Sequence, residues 1–215
     1  MEPHAGGRVV HAGAPLGSAR AAMILAHGRN AGPANILDLL PQLDRPGFAC
    51  LAPSAAGGTW YPLSFMAERS RNEPGISSGL HVLGRLVTEL LERGLPSHRI
   101  VLLGFSQGAC LTAEFAARHP RRYGGVLVLS GGLIGPPGTT WDDLPGALDG
   151  TPVFLGCSDA DAHVPAARVL ESRAVFERLG GAVTCRIYPG MGHLVNDDEI
   201  AFVRSVLDEV LASVA

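Results

Sequence analysis

The feature that most constrains this chain is a repeated alternation of short, nearly unbroken apolar runs with longer stretches of helical periodicity. The apolar runs are AAMILAHG (21–28), GFACLAPS (47–54), RIVLLGFS (99–106), GGVLVLSG (124–131), TPVFLGCSD (151–159) and AVTCRIYPG (182–190). Strands that are apolar on both faces belong to parallel sheets covered on both sides. The stretches between them read as helices: 32–43, interrupted near Pro41; 75–94; 107–119, ended by Pro120; 164–179, closed by Gly180-Gly181; and 197–213. In 75–94 the apolar positions Ile76, Leu80, Leu83, Val87 and Leu90 recur at helical spacing, and Gly94 offers a stop. The alternation predicts one α/β domain over residues 1–215, with a mostly parallel central sheet flanked by helices. His4 and His11 lie in a start that reads as flexible.

Composition narrows the class. Hydrophobic residues make up 47% and charged residues 17% of 215, which marks a globular chain with a core. The net charge is −3 with no basic stripe, so neither nucleic acid nor an anionic membrane surface is expected as a partner. No apolar run approaches the roughly 18 residues of a membrane span, and the start lacks the pattern of a signal peptide. Cys50, Cys110, Cys157 and Cys185 are far apart and form no CxxC pair. Buried free thiols in a reducing, cytoplasmic compartment are expected rather than disulfides or zinc. Without HExxH or a clustered His/Asp set, no metal and no cofactor is expected.

Two long segments interrupt the alternation, 53–74 and 131–150. Both follow strands, so both should emerge at the carboxyl edge of the sheet, where open α/β folds bind ligands.

At that edge lies Gly104-Phe105-Ser106-Gln107-Gly108, between an apolar strand and a helix. The pentapeptide alone is a weak signal and could be a plain turn; its strand–turn–helix placement is what a nucleophile elbow requires. A serine hydroxyl needs a base, and the base an orienting acid. In this arrangement the chain order is serine, acid, histidine, which sets aside His27 and leaves His163 and His193. His193, in the glycine-rich YPGMGHLVND, is the candidate base. The acid should follow a strand between the two, and VFLGCSDADAHVP offers both Asp159 and Asp161, between which spacing does not choose. The N–H of Gln107 and the N–H of Arg29, in HGRN after an early strand, are the candidate oxyanion donors.

LAHGRN, APSAAGGTWYP, GFSQGACL, SGGLIG, GCSDADAHVP and YPGMGH occur in this order. Together, over about residues 20–200, they resemble the phospholipase/carboxylesterase family of α/β-hydrolases, which includes acyl-protein thioesterase-like enzymes and is related to dienelactone hydrolases. The resemblance implies the α/β-hydrolase fold. It selects Asp161, with Ala162 standing where the family's acid segment has proline, so that Ser106, Asp161 and His193 form a triad. It also implies, as an oligomeric state, a homodimer.

The expected activity is a carboxylesterase cleaving small-molecule, short-acyl esters through an acyl-enzyme. The alternatives are lysophospholipase or acyl-protein thioesterase activity, lactone cleavage, and a binding module without turnover. Trp60, Tyr61, Phe65, Leu133, Ile134 and Met191, from the two long segments and the His193 loop, are the candidate substrate contacts.

Overall fold

In the computed structural model, which describes residues 2–213, the six expected strands form one sheet. They are β2 (Ala21–Ala26), β3 (Phe48–Pro53), β4 (Ile100–Phe105), β5 (Gly125–Leu129), β6 (Pro152–Ser158) and β7 (Ala182–Tyr188). A seventh, β1 (Val9–Gly13), pairs antiparallel with β3 at the edge; all other pairings are parallel, in the order β1-β3-β2-β4-β5-β6-β7. The helices are α1 (Pro33–Leu37), α2 (Leu40–Leu43), α3 (Gly75–Glu92), α4 (Gln107–Arg118), α5 (Ala166–Arg178) and α6 (Asp197–Ala212).

Every residue of β2 and β3 is buried, because helices cover both faces. One face packs against α3, α4 and α5 through residues such as Leu83, Phe115 and Phe176. The other packs against α1, α2 and α6 through Ile36, Leu43 and Val203. Burying a side chain of this size is worth about 1.5–3 kcal/mol.

One expectation is corrected. The start is not flexible: β1 is ordered, and His4 is 2% exposed. The His4 ring accepts from Ala56 N–H at Nδ1 (3.0 Å) and donates from Nε2 to Trp60 O (2.8 Å). The 32–43 helix is interrupted near Pro41 as expected, at Asp38-Leu39. Pro41 sits in the first turn of α2, where a missing N–H costs no helical bond.

Strand order reverses between β2 and β4, since β3 lies to one side of β2 and β4 to the other. Such a switch point opens a crevice at the carboxyl ends of the strands. The turns after β2 and β4 carry Gly28-Arg29 and Ser106-Gln107 into it.

Candidate active site

Ser106 holds φ 56° and ψ −121°, a backbone region that side-chain-bearing residues rarely occupy. The strain is imposed from both sides. A Cβ on Gly104 would strike the Gly108 carbonyl, and one on Gly108 would strike the Ala26 carbonyl of β2. Only glycines let α4 start this close to the sheet. The hydroxyl of Ser106 is thereby lifted out of the strand line toward the crevice.

His193 Nε2 lies 2.8 Å from Ser106 Oγ, and His193 Nδ1 lies 2.7 Å from Asp161 Oδ2. A carboxylate only accepts, so Nδ1 carries the proton and Nε2 turns its lone pair to the serine. Asp161 Oδ1 accepts from the N–H groups of His163 (2.8 Å) and Val164 (3.0 Å). Burial opposes ionisation of Asp161, but the bond from His193 and those two N–H groups outweigh it and hold the carboxyl below its ordinary range. The loop bearing His193 is latched to the end of β6: Gly190 N–H donates to Asp159 Oδ1 (2.8 Å) and Gly192 N–H to Ser158 Oγ (3.0 Å). The two aspartates thus divide the work, Asp161 facing the imidazole and Asp159 fastening its loop. His163 lies edge-on to His193 with ring centroids 4.8 Å apart.

Gln107 is the first residue of α4, so its N–H has no intrahelical acceptor, and the residue lines the crevice at the helix's positive end. Its side chain does more than the sequence suggested. Oε1 accepts from Trp60 N–H (2.9 Å) and Nε2 donates to Tyr61 O (2.7 Å), clamping the 53–74 segment against the nucleophile. Arg29 follows Gly28, which packs against Ser106 Cβ. The Arg29 guanidinium spans to the same segment, donating to Pro62 O (2.7 Å) and Leu63 O (2.5 Å).

A cavity of about 640 Å³ opens over Ser106. It is lined by residues 28–31, 61–65 and 105–107, together with Asn35, Ile36, Cys110, His163, Val164 and His193. Of the expected contacts, Tyr61 and Phe65 line it. Trp60, Leu133, Ile134 and Met191 do not. Trp60 is fully buried, its Nε1 donating to His27 O at 2.9 Å. Leu133 and Ile134 are drawn into the core because their N–H groups are taken by Ser172 Oγ (2.9 Å) and by buried Glu114 Oε2 (3.1 Å). Met191 turns instead to Asn196, whose Nδ2 donates to its sulfur at 2.8 Å. The 131–150 segment therefore props the wall from behind, through Gly135 N–H donating to Phe65 O (2.9 Å). The lining by Asn35, Ile36 and Val164 carried no signal in the sequence, because each belongs to a turn or short helix placed only by packing.

The family model for Phospholipase/Carboxylesterase matches residues 48–211. The chain belongs to the phospholipase/carboxylesterase family. Among curated members it is similar to acyl-protein thioesterase 1 of Eremothecium gossypii, 32% identical over 153 residues, which take in 67% of this chain and 63% of that protein. It is also similar to mouse lysophospholipase-like protein 1, 30% identical over 131 residues, 60% of this chain and 54% of that one. The chain thus aligns with somewhat under two thirds of the length of these relatives. Among solved structures, a phospholipase/carboxylesterase from Dyadobacter fermentans is 38% identical with a TM-score of 0.90, over 96% of this chain and 98% of that one. A carboxylesterase from Bacillus cereus shares the fold at 19% identity, with a TM-score of 0.76 over 96% and 95% of the two chains. The α/β-hydrolase architecture expected for this phospholipase/carboxylesterase family member is therefore the one it has. No helix among the described residues is long and apolar enough to cross a membrane, and none of their His, Cys, Asp and Glu side chains cluster as a metal site.

Proposed function

We propose that this family member is a serine carboxylesterase acting on small or short-acyl esters. The observation that carries the reading is the continuous hydrogen-bonded chain from Asp161 through His193 to Ser106, at 2.7 and 2.8 Å, opening on a cavity of about 640 Å³. Ser106 Oγ attacks the ester carbonyl as His193 Nε2 takes its proton. Asp161 holds the imidazole tautomer and stabilises the cation that forms. The N–H groups of Gln107 and Arg29 receive the developing oxyanion; one such donor is typically worth about 10²–10³ in rate. His193 protonates the departing alkoxide, then activates the water that resolves the acyl-enzyme.

The cavity volume falls in the range of about 300–1,000 Å³ typical of small-molecule sites. Tyr61, Leu63, Phe65 and Phe105 supply apolar wall for an acyl group. Thioester cleavage is a second reading, favoured by the similarity to acyl-protein thioesterase 1 and open to the same machinery. Cys50, Cys110, Cys157 and Cys185 are all free thiols, which supports a reducing, cytoplasmic setting.

Labelling by a fluorophosphonate probe tests the catalytic assignment. The wild type should label and Ser106→Ala should not; equal labelling of the two would refute Ser106 as nucleophile, and no labelling of either would leave a binding module. Comparing p-nitrophenyl acetate, butyrate and octanoate with a palmitoyl thioester then ranks acyl length. Faster turnover of the long chains would replace the short-ester reading with the thioesterase one.

A further inference from the structure

The rim of the cavity carries one fixed positive charge and no negative one. Among the described residues that line it, Arg29 is the one Arg or Lys, and there is no Asp or Glu. The guanidinium is exposed, and its partners, Pro62 O and Leu63 O, are neutral carbonyls that leave its charge uncancelled. Two bonds leave further N–H donors free, since a guanidinium carries five. It lies beside Tyr61, with Cζ 5.9 Å from the ring centroid, and the two carbonyls hold it along the cavity wall.

The neutral polar side chains around it are spent in the same sense. Asn30 Oδ1 accepts from Thr59 Oγ1 (3.3 Å). Asn35 Oδ1 accepts from Gly32 N–H (3.0 Å), and Ser64 Oγ from Met66 N–H (3.1 Å). With one lone pair of each oxygen engaged, these three cavity-lining residues present two amide NH₂ groups and a hydroxyl proton to a ligand. A rim with one uncancelled guanidinium, free N–H donors and no carboxylate in its lining matches an anion.

We propose that Arg29, with Asn30, Asn35 and Ser64, selects esters that carry a carboxylate or phosphate a short spacer away from the scissile carbonyl. The proposal rests on the esterase reading, in which Arg29 N–H holds the carbonyl oxygen. Its guanidinium is then one side-chain length from the reacting bond. Arg29 has a double part: its backbone serves the oxyanion and its side chain sorts substrates by charge.

Matched ester pairs test this. For an anion on the acyl side, the mono-p-nitrophenyl ester of glutaric acid is compared with an ester in which an isopropyl group replaces the carboxylate. For an anion on the alcohol side, meta-carboxyphenyl acetate is compared with meta-isopropylphenyl acetate. In at least one pair the wild type should favour the anionic ester by about fivefold or more in kcat/KM. The preference should shrink as salt is raised toward about 0.5 M. Within each variant the anionic-to-neutral ratio cancels any general change in activity. Arg29→Met should bring it to about one, while Arg29→Lys, which keeps the charge but loses the fork, should retain most of it. A wild-type ratio near or below one in both pairs overturns the proposal, as does a ratio that survives in Arg29→Met. If the wild type cleaves none of the four esters faster than Ser106→Ala, the esterase reading falls, and the selectivity with it.

Discussion

At the scale of single residues, the molecule concentrates strain and unusual burial around one hydroxyl. Ser106 sits at φ 56°, a conformation that costs a side-chain-bearing residue about 1–3 kcal/mol. Ser106→Gly should therefore be inactive yet more stable than Ser106→Ala, by about 1 kcal/mol in urea unfolding. Asp161→Asn should leave the fold intact but lower kcat about 10⁴-fold on a p-nitrophenyl ester, because an amide no longer holds the proton on His193 Nδ1.

Glu199 is the other outlier among residues. It is fully buried at the start of α6, with Oε2 accepting from Asn196 N–H (3.0 Å) and Oε1 packed against Gly156 without a partner among the described residues. Burial raises its carboxyl from 4.5 to about 7, the Asn196 N–H opposes this, and Asp198 adds to it. An acid raised in the folded state contributes its stability in full below about 4.5 and loses it as pH climbs through about 7. The loss across that window is on the order of 3 kcal/mol. Glu199→Gln keeps the acceptor for Asn196 N–H and removes the titration. Its unfolding free energy should fall less than the wild type's between pH 5 and 8; an unchanged pH dependence would refute the assignment.

At the scale of elements, the site depends on how two irregular segments are fastened to regular ones. His27, at the end of β2, donates from Nδ1 to Gly28 O (2.8 Å) and accepts at Nε2 from Ala55 N–H (3.1 Å). Burial lowers its pKa, the bond to Gly28 O opposes this, and the neighbouring His4 adds to it. The stability it lends is complete above about 6.5 and is lost as pH falls. His27→Phe should be less stable than wild type by about 2 kcal/mol at neutral pH, and the gap should narrow toward pH 5.

Glu114 of α4 fastens both segments at once. Its Oε1 takes Arg69 Nη1 (2.7 Å) and Arg118, and its Oε2 takes Ile134 N–H (3.1 Å). Removing a buried, hydrogen-bonded carboxylate costs roughly 3 kcal/mol or more. Glu114→Ala should show that loss and faster proteolysis within 60–70, with kcat/KM falling because the Tyr61–Phe65 wall loosens.

At the scale of the whole molecule, β1 closes the sheet. It covers the edge of β3, and His4 ties the start of the chain to the segment that walls the cavity. Deleting residues 1–13 should expose a long apolar edge. We expect a lower Tm and concentration-dependent association in light scattering. β1 was illegible because VVHAG is short, half-buried and glycine-bounded, with neither alternation nor an apolar run. The other six strands and the long helices were legible, because burial on both faces forces an unbroken apolar string that needs no knowledge of neighbours.

The same division runs through the site. Sequence alone determined that Ser106 lies in a strand–turn–helix elbow and that His193 follows it at the same sheet edge, because chain order and glycine placement are local properties. Family resemblance, not spacing, separated Asp161 from Asp159, and only tertiary structure shows why: one faces the imidazole and the other holds Gly190. Tertiary structure also decided which apolar residues face the cavity. Trp60 and Tyr61 are neighbours of similar character and both are buried, yet Trp60 turns its Nε1 to His27 O inside the body while Tyr61 lines the cavity. A cavity is the surface left after distant segments have satisfied their own polar groups, and that balance is not written in any one stretch of chain.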